Sequence, residues 1–149
     1  MDAEVYSDPE VEKLIESSFT PARFHVKEQP DAFARFGAEW TPTILVSNPA
    51  GKERHRIEGF LPKEDFMAQL RLGLAHLARE EGDFENAESR YRELADSGPP
   101  ELAPEALYWS GVSNYKRTHD AAALTETARQ MRARFADSTW MKKASVWET

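Results

Sequence analysis

Residues 40–60 of this 149-residue chain read WTPTILVSNPAGKERHRIEGF and decide the fold of its first half. A β-rich run is followed by a turn around Gly51 and by a second run in which charged side chains alternate with others. This pattern predicts an antiparallel hairpin. Arg54, Arg56 and Glu58 would share one face of the second strand. Such charge is typical of an edge strand that must not pair with other chains.

Shorter elements are predicted before the hairpin. Asp8 followed by Pro9 is a typical helix start, because the carboxylate caps free backbone N–H groups and proline suits the first turn. Ala22, Phe24 and Val26 alternate with polar residues, which is the period of a strand. The predicted order is the end of a helix at 1–6, a helix at 9–18, a strand at 20–26 and a short helix at 30–36.

The pattern after the hairpin is helical throughout. Pro62 can open a long helix that runs to about Glu80 with an apolar stripe along it. Amphipathic segments then predict four more helices, the last of them capped by Asp137-Ser138. The predicted fold class is therefore an α/β segment followed by an all-α tail.

Composition excludes several function classes. The net charge of −7, from 26 acidic and 19 basic side chains, repels phosphate, so no nucleic-acid partner is expected. No apolar run approaches the roughly 20 residues that a membrane helix needs, and the start does not resemble a signal peptide, so we expect a cytoplasmic protein without membrane contact. The four histidines lack metal-ligand spacing. We therefore predict no metal, no cofactor and no catalytic residue.

At Trp40-Thr41-Pro42-Thr43 the order of elements becomes recognisable. Over residues 1–80, the predicted order of elements resembles the C-terminal two-thirds of a thioredoxin fold. This order is a helix, a strand, a short helix, this Thr-Pro motif, a hairpin, Gly59-Phe60 and a long helix. The resemblance implies that Pro42 follows a cis peptide bond and that Trp40, Thr41 and Pro42 form a peptide-binding loop, in which the backbone of Thr41 pairs with an extended segment. From the residues alone, a trans proline that opens a strand remains the alternative.

The chain departs from that family at its chemistry. Thioredoxin-like proteins carry Cys-x-x-Cys before the helix whose end aligns with residues 1–6, whereas this chain contains no cysteine and cannot perform thiol catalysis by itself. One interpretation is a bacterial thioredoxin-like protein without redox cysteines that acts as a protein or peptide interaction module. The other is a truncated or misassigned-start fragment of a thiol–disulfide oxidoreductase whose motif lies upstream of Met1. Whether the chain belongs to an enzyme is therefore left open.

The resemblance also implies that a central strand is missing from the sheet. In the family, the strand before the cysteines lies between the strands that residues 22–26 and 44–46 would form. Without it, the backbone groups of two apolar strands would be left unpaired, which is costly when they are buried and attracts other chains when they are exposed. We therefore expect these two strands to pair directly, or a homodimer to complete the sheet.

The second half resembles a tetratricopeptide array. Gly82-Asp83-Phe84, Ala87, Tyr91 and Pro99 match that family's pattern. A second unit at 106–135 is looser, because His119-Asp120 stands where Gly-Asp is usual. The expected domains are thus a partial thioredoxin-like domain at 1–80 and tetratricopeptide-like helical hairpins at 81–149 that share the 62–80 helix.

A glutathione-transferase-like arrangement, which also joins a thioredoxin-like domain to a helical one, is a weaker alternative for the whole chain. The Gly82-Asp83-Phe84 signature and the missing N-terminal strand argue against it.

Two side-chain sets in the helical half are candidate partner sites. Tyr108, Trp109 and Tyr115 could line a partner groove, although such aromatic residues more often pack between helices. A basic cluster next to Trp140 could hold an acidic peptide or an RNA segment, but the solvated face of two helices explains it as well. The cluster consists of Arg129, Arg132, Arg134, Lys142 and Lys143.

Overall fold

The computed structural model describes residues 5–148, and these fold into helices and one small antiparallel sheet. The elements are α1 (Pro9–Ser18), α2 (Pro30–Arg35), β1 (Thr43–Ser47), β2 (Glu53–Glu58), α3 (Lys63–Glu80), α4 (Phe84–Ser97), α5 (Ala103–Thr118), α6 (Ala122–Phe135), α7 (Thr139–Ala144) and a 3-10 turn at Ser145–Trp147. The chain divides into two compact units between Gln69 and Leu70, so the boundary falls inside α3. The helix end predicted at 1–6 lies outside the described residues except for Val5 and Tyr6, which are helical.

The hairpin forms where its alternation predicts it. Thr43 lies opposite Glu58 and Val46 opposite His55, with an irregularity in the register after Val46. Gly51 supplies the positive φ of +82° that the turn needs. Val46 and Ile57 are buried, whereas most of the other strand residues keep part of their surface in water.

The strand predicted at 20–26 is wrong. Among the described residues the sheet contains β1 and β2 alone, and all residues from 20 to 31 are exposed. The chain turns at His25, whose carbonyl accepts a hydrogen bond from the Gln29 N–H at 2.7 Å. Phe24 packs against Phe36 instead, with ring centroids 5.7 Å apart. An alternating pattern forms a strand only where a neighbour pairs with its backbone, and the expected direct pairing with 44–46 is absent as well.

The helices follow local signals closely. Asp8 accepts from the Glu10 N–H and caps α1, and Asp83 accepts from the Asn86 N–H and caps α4. α5 ends at His119 with φ +58°, the left-handed conformation that glycine usually supplies at a helix end. The core of the second unit contains the fully buried Leu72, Ala87, Tyr91, Ala106, Leu107, Ala128, Met131 and Met141.

Candidate functional site

The loop that carries the predicted peptide-binding residues begins at the end of α2. Gly37 takes a φ of +62°, its N–H bonds the carbonyl of Ala34 at 3.0 Å, and the N–H of Ala38 bonds the carbonyl of Phe33 at 3.0 Å. This pair of hydrogen bonds is the Schellman arrangement that ends many helices. The loop therefore leaves α2 in a fixed direction.

Arg56 on β2 ties this helix end to the hairpin. Its Nη2 donates to the carbonyl of Phe36 at 2.6 Å, and its Nη1 donates to the carbonyl of Gly37 at 3.3 Å. Glu53 holds the guanidinium from the other side at 2.6 Å. This pairing lowers the pKa of Glu53 and raises that of Arg56. The Arg56 side chain thus fixes the start of the loop relative to β2.

Trp40, Thr41 and Pro42 lie at the other end of the loop, directly before β1. The Thr41–Pro42 peptide bond is cis. The Pro42 carbonyl accepts from the Gly59 N–H at 2.8 Å, and the Trp40 carbonyl accepts from the Thr43 hydroxyl at 2.6 Å. Thr41 is exposed, and its backbone N–H and C=O make no hydrogen bond within residues 5–148. Among these residues, the backbone N–H and C=O of Thr41 therefore have no hydrogen-bond partner.

Large apolar side chains are exposed on the same unit. The Trp40 ring is 69% exposed, and Phe60, which follows the Gly59 that bonds Pro42, is 52% exposed. Phe24 is 51% exposed at its contact with Phe36. In the described part of the chain, β1 pairs with β2 on one side and with no strand on the other.

The structure brings together only part of the predicted partner groove, Tyr108, Trp109 and Tyr115. Tyr108 and Trp109 on α5 belong to an aromatic cluster, completed by Trp140 of α7 and Trp147 of the 3-10 turn. Tyr115 lies on the same helix, half-buried, and makes no ring contact with the residues that the structure describes. The predicted set is therefore divided, while Trp140 and Trp147 join its first two members.

Several of the predicted basic residues are neutralised by carboxylates of the same chain. Arg129 pairs with Glu126 at 2.6 Å, Arg132 with Glu148 at 2.8 Å, and Arg134 with Asp96 at 3.2 Å. Lys143 differs, because its ammonium lies 3.8 Å from the centre of the Trp140 ring. The three arginines thus fit the solvated-face interpretation.

A buried polar network in the second unit has no signal in the sequence. The hydroxyl of the fully buried Tyr91 lies 2.6 Å from His76 Nδ1 and accepts from Arg79 Nε at 3.1 Å, while Glu105 lies 3.6 Å from His76 Nε2. Burial raises the pKa of Tyr91 to about 12. The same Arg79 guanidinium stacks 3.9 Å from the centre of the Trp109 ring. The network links α3, α4 and α5 through polar atoms that satisfy one another.

Residues 5–148 contain no group of three or more His, Asp or Glu side chains placed to hold a metal ion. In that same range, no helix is both long enough and apolar enough to cross a bilayer.

Comparison with known protein families gives a match to part of the chain. The family described as a thioredoxin-like domain matches residues 1–73. No curated protein and no solved structure matches the chain significantly. The described residues of that region hold α1, α2, the hairpin and the start of α3, which is compatible with part of such a domain followed by further helices. The match therefore supports a thioredoxin-like fold for residues 1–73, in a chain that contains no cysteine.

Proposed function

We propose that this protein is a non-redox interaction module that binds an extended polypeptide segment along the Trp40-Thr41-Pro42 loop and the outer edge of β1. The observation that carries the proposal is the exposed residue Thr41, whose backbone N–H and C=O make no hydrogen bond within residues 5–148. An exposed N–H and C=O next to a strand are the groups that strand addition uses.

The two edges of the hairpin differ in a way that favours β1. β2 carries Glu53, Arg54, Arg56 and Glu58, and such charges discourage pairing with another chain. β1 reads Thr-Ile-Leu-Val-Ser and carries no charge. An incoming strand would therefore meet electrostatic and desolvation penalties at β2 that are absent at β1.

The apolar side chains around the loop would supply affinity. Trp40 and Phe60 lie at the Pro42 end of the hairpin, and more than half of each side chain is in water. Covering an aromatic ring of this kind contributes about 2 kcal/mol or more at a well-packed contact. Backbone pairing and two aromatic anchors together fit a segment with alternating apolar side chains.

The test uses a labelled extended peptide of alternating valine and threonine, with fluorescence anisotropy as the readout. We expect binding to the full chain, loss of binding when a central residue of the peptide is replaced by proline, and about tenfold weaker binding in Trp40→Ala. Val146→Ala is the matched control, because Val146 is an exposed apolar residue of the other unit. Equal binding of the proline-containing peptide, or an equal effect of Val146→Ala, would contradict the proposal.

A second copy of the chain is the competing occupant of the same edge, because uncharged β1 strands could pair across a two-fold axis and complete the sheet. Light scattering over a concentration series distinguishes the two occupants. A dimer that Trp40→Ala dissociates would assign the edge to self-association, whereas a monomer at all concentrations would leave it to a peptide.

The alternative function is a part in a thiol–disulfide oxidoreductase whose Cys-x-x-Cys lies upstream of Met1. The match to the thioredoxin-like family supports it, since many such proteins are redox enzymes. Intact mass and thiol titration of the native protein from its own cells decide between the functions. A mass several kilodaltons above 17.0 kDa with two thiols would favour the enzyme, and a product of 17.0 kDa without thiols would favour the module.

We also propose that the second unit is tetratricopeptide-like. The pairs α3 with α4 and α5 with α6 each join at a left-handed residue followed by aspartate, Gly82-Asp83 and His119-Asp120. Small residues such as Ala87 and Gly111 are buried in the helices, as close helix pairs require. A docking role for this unit would be separate from the loop of the first unit.

A further inference from the structure

We infer that the aromatic cluster, Tyr108, Trp109, Trp140 and Trp147, is a second binding surface, and that its ligand is an acidic peptide segment with apolar side chains. The surface lies entirely in the second unit and uses none of the residues proposed above for extended peptides. Its failure would therefore leave the first proposal intact.

The cluster is built from rings that contact one another and still reach water. Tyr108 stacks on Trp147 with centroids 4.7 Å apart and meets Trp109 and Trp140 at 5.2 Å each. All four side chains are half-buried rather than buried. Val146, which precedes Trp147, is 73% exposed. Three of the four tryptophans of the chain thus meet at one partly wet apolar surface, an arrangement that often marks an interaction site.

Two cations frame the cluster without a carboxylate partner in the described part of the chain. Arg79 lies 3.9 Å from the centre of the Trp109 ring and Lys143 lies 3.8 Å from that of Trp140, while these two rings are 6.2 Å apart. Several other arginines of this unit pair with the chain's own acids, as Arg117 does with Glu88 at 2.9 Å. The rings hold these two cations in place, and a carboxylate of a bound ligand could form an ion pair with each of them.

Charge decides the class of ligand. An acidic segment would pair with Arg79 and Lys143 while its apolar side chains cover the rings, whereas a basic segment would meet two fixed positive charges. The net charge of −7 opposes long polyanions such as RNA, because their attraction depends on many phosphate contacts. A short acidic peptide needs only the local pair of cations, since salt screens the rest of the chain beyond roughly 8–10 Å.

The experiment reads tryptophan emission in the full chain carrying Trp40→Phe, in which every remaining tryptophan belongs to the cluster. The probe is a capped peptide of alternating glutamate, leucine and phenylalanine, compared with its lysine-for-glutamate analogue and with an oligouridylate. We expect a saturable emission change with the acidic peptide alone, and binding that weakens as salt is raised. Lys143→Glu should weaken it about tenfold, since one attraction becomes a repulsion.

Matched variants show whether the surface itself is responsible. Lys143→Arg should retain binding, and Lys116→Glu, an exposed position on α5 with the same change of net charge, should leave the dissociation constant within about twofold. The inference is overturned by an unchanged emission, by an equal response to the lysine analogue, by stronger binding of the oligouridylate, or by equal effects of Lys116→Glu and Lys143→Glu. Circular dichroism of each variant confirms that the helices are retained.

Discussion

The two units treat their large apolar side chains differently. In the first, Phe24, Val26, Trp40 and Phe60 are all exposed, with Trp40 reaching 69%. In the second, Tyr91 is fully buried and the remaining aromatic side chains are half-buried. A helix pair can bury its stripe against the neighbour that follows it in the chain, whereas a two-stranded hairpin has too few strands to cover its own faces. Three of the four large apolar residues that are more than half exposed thus belong to the first unit, and the fourth, Val146, belongs to the second.

The largest expected effect tests this contrast directly. Tyr91→Ala should lower the free energy of unfolding by about 3–5 kcal/mol, because it leaves a cavity and removes the oxygen between His76 and Arg79. Trp40→Ala should change it by no more than about 0.5 kcal/mol, because the ring is mostly in water. Urea unfolding followed by circular dichroism measures both variants. Similar losses would show that exposure does not separate the two units.

The second prediction concerns alkaline pH. Because burial raises the pKa of Tyr91 to about 12, the folded chain retains the phenol proton where the unfolded chain, with a pKa near 10, loses it. The stabilisation is complete below pH 10 and is lost between about pH 10 and 12, by up to about 3 kcal/mol. Urea midpoints across that range should fall more steeply for the natural protein than for Tyr91→Phe. Parallel slopes would mean that this hydroxyl is not the group that titrates.

The third prediction probes the close approach of α5 and α6. A Cβ at Gly111 would lie 2.7 Å from the Cβ of Thr127, so Gly111→Ala forces the two helices apart. We expect a loss of about 2 kcal/mol from overpacking, even though alanine is the better helix former by about 1 kcal/mol. Lys116→Ala, exposed on the same helix, is the control, and urea unfolding is the measurement. A stabilised Gly111→Ala variant would show that this contact can relax.

The comparison also separates the features that a sequence can predict from those that it cannot. The helix at 9–18 and the hairpin at 43–58 follow from caps, a turn and short periods, which are local signals. The strand at 20–26 failed because its pairing depends on a distant neighbour that the alternating pattern does not encode. Local signals were therefore sufficient for the helices and the hairpin, and insufficient for a strand that needs a partner from elsewhere in the chain.

The candidate sites show the same division. Trp40, Thr41 and Pro42 were predicted from a family resemblance. The structure adds the contact that holds their loop, which is the hydrogen bond from Arg56 to the Phe36 carbonyl, 20 residues away in sequence. Tyr108 and Trp109 were identified from the sequence, but their meeting with Trp140 and Trp147 depends on tertiary packing. No spacing rule connects residues on α5, α7 and the turn after it.

The smallest effect tests how the first unit holds its loop. Arg56→Lys should lower the free energy of unfolding by about 1 kcal/mol, because an ammonium cannot bond the Phe36 carbonyl, the Gly37 carbonyl and Glu53 with one planar group. Arg35→Lys, an exposed position on α2, is the control. Amide hydrogen exchange should become faster at the hydrogen-bonded N–H groups of residues 36–38 in Arg56→Lys and stay unchanged in α4. Unchanged exchange in the loop would mean that its position depends on the hairpin alone, and the polar tie would then be irrelevant to peptide binding.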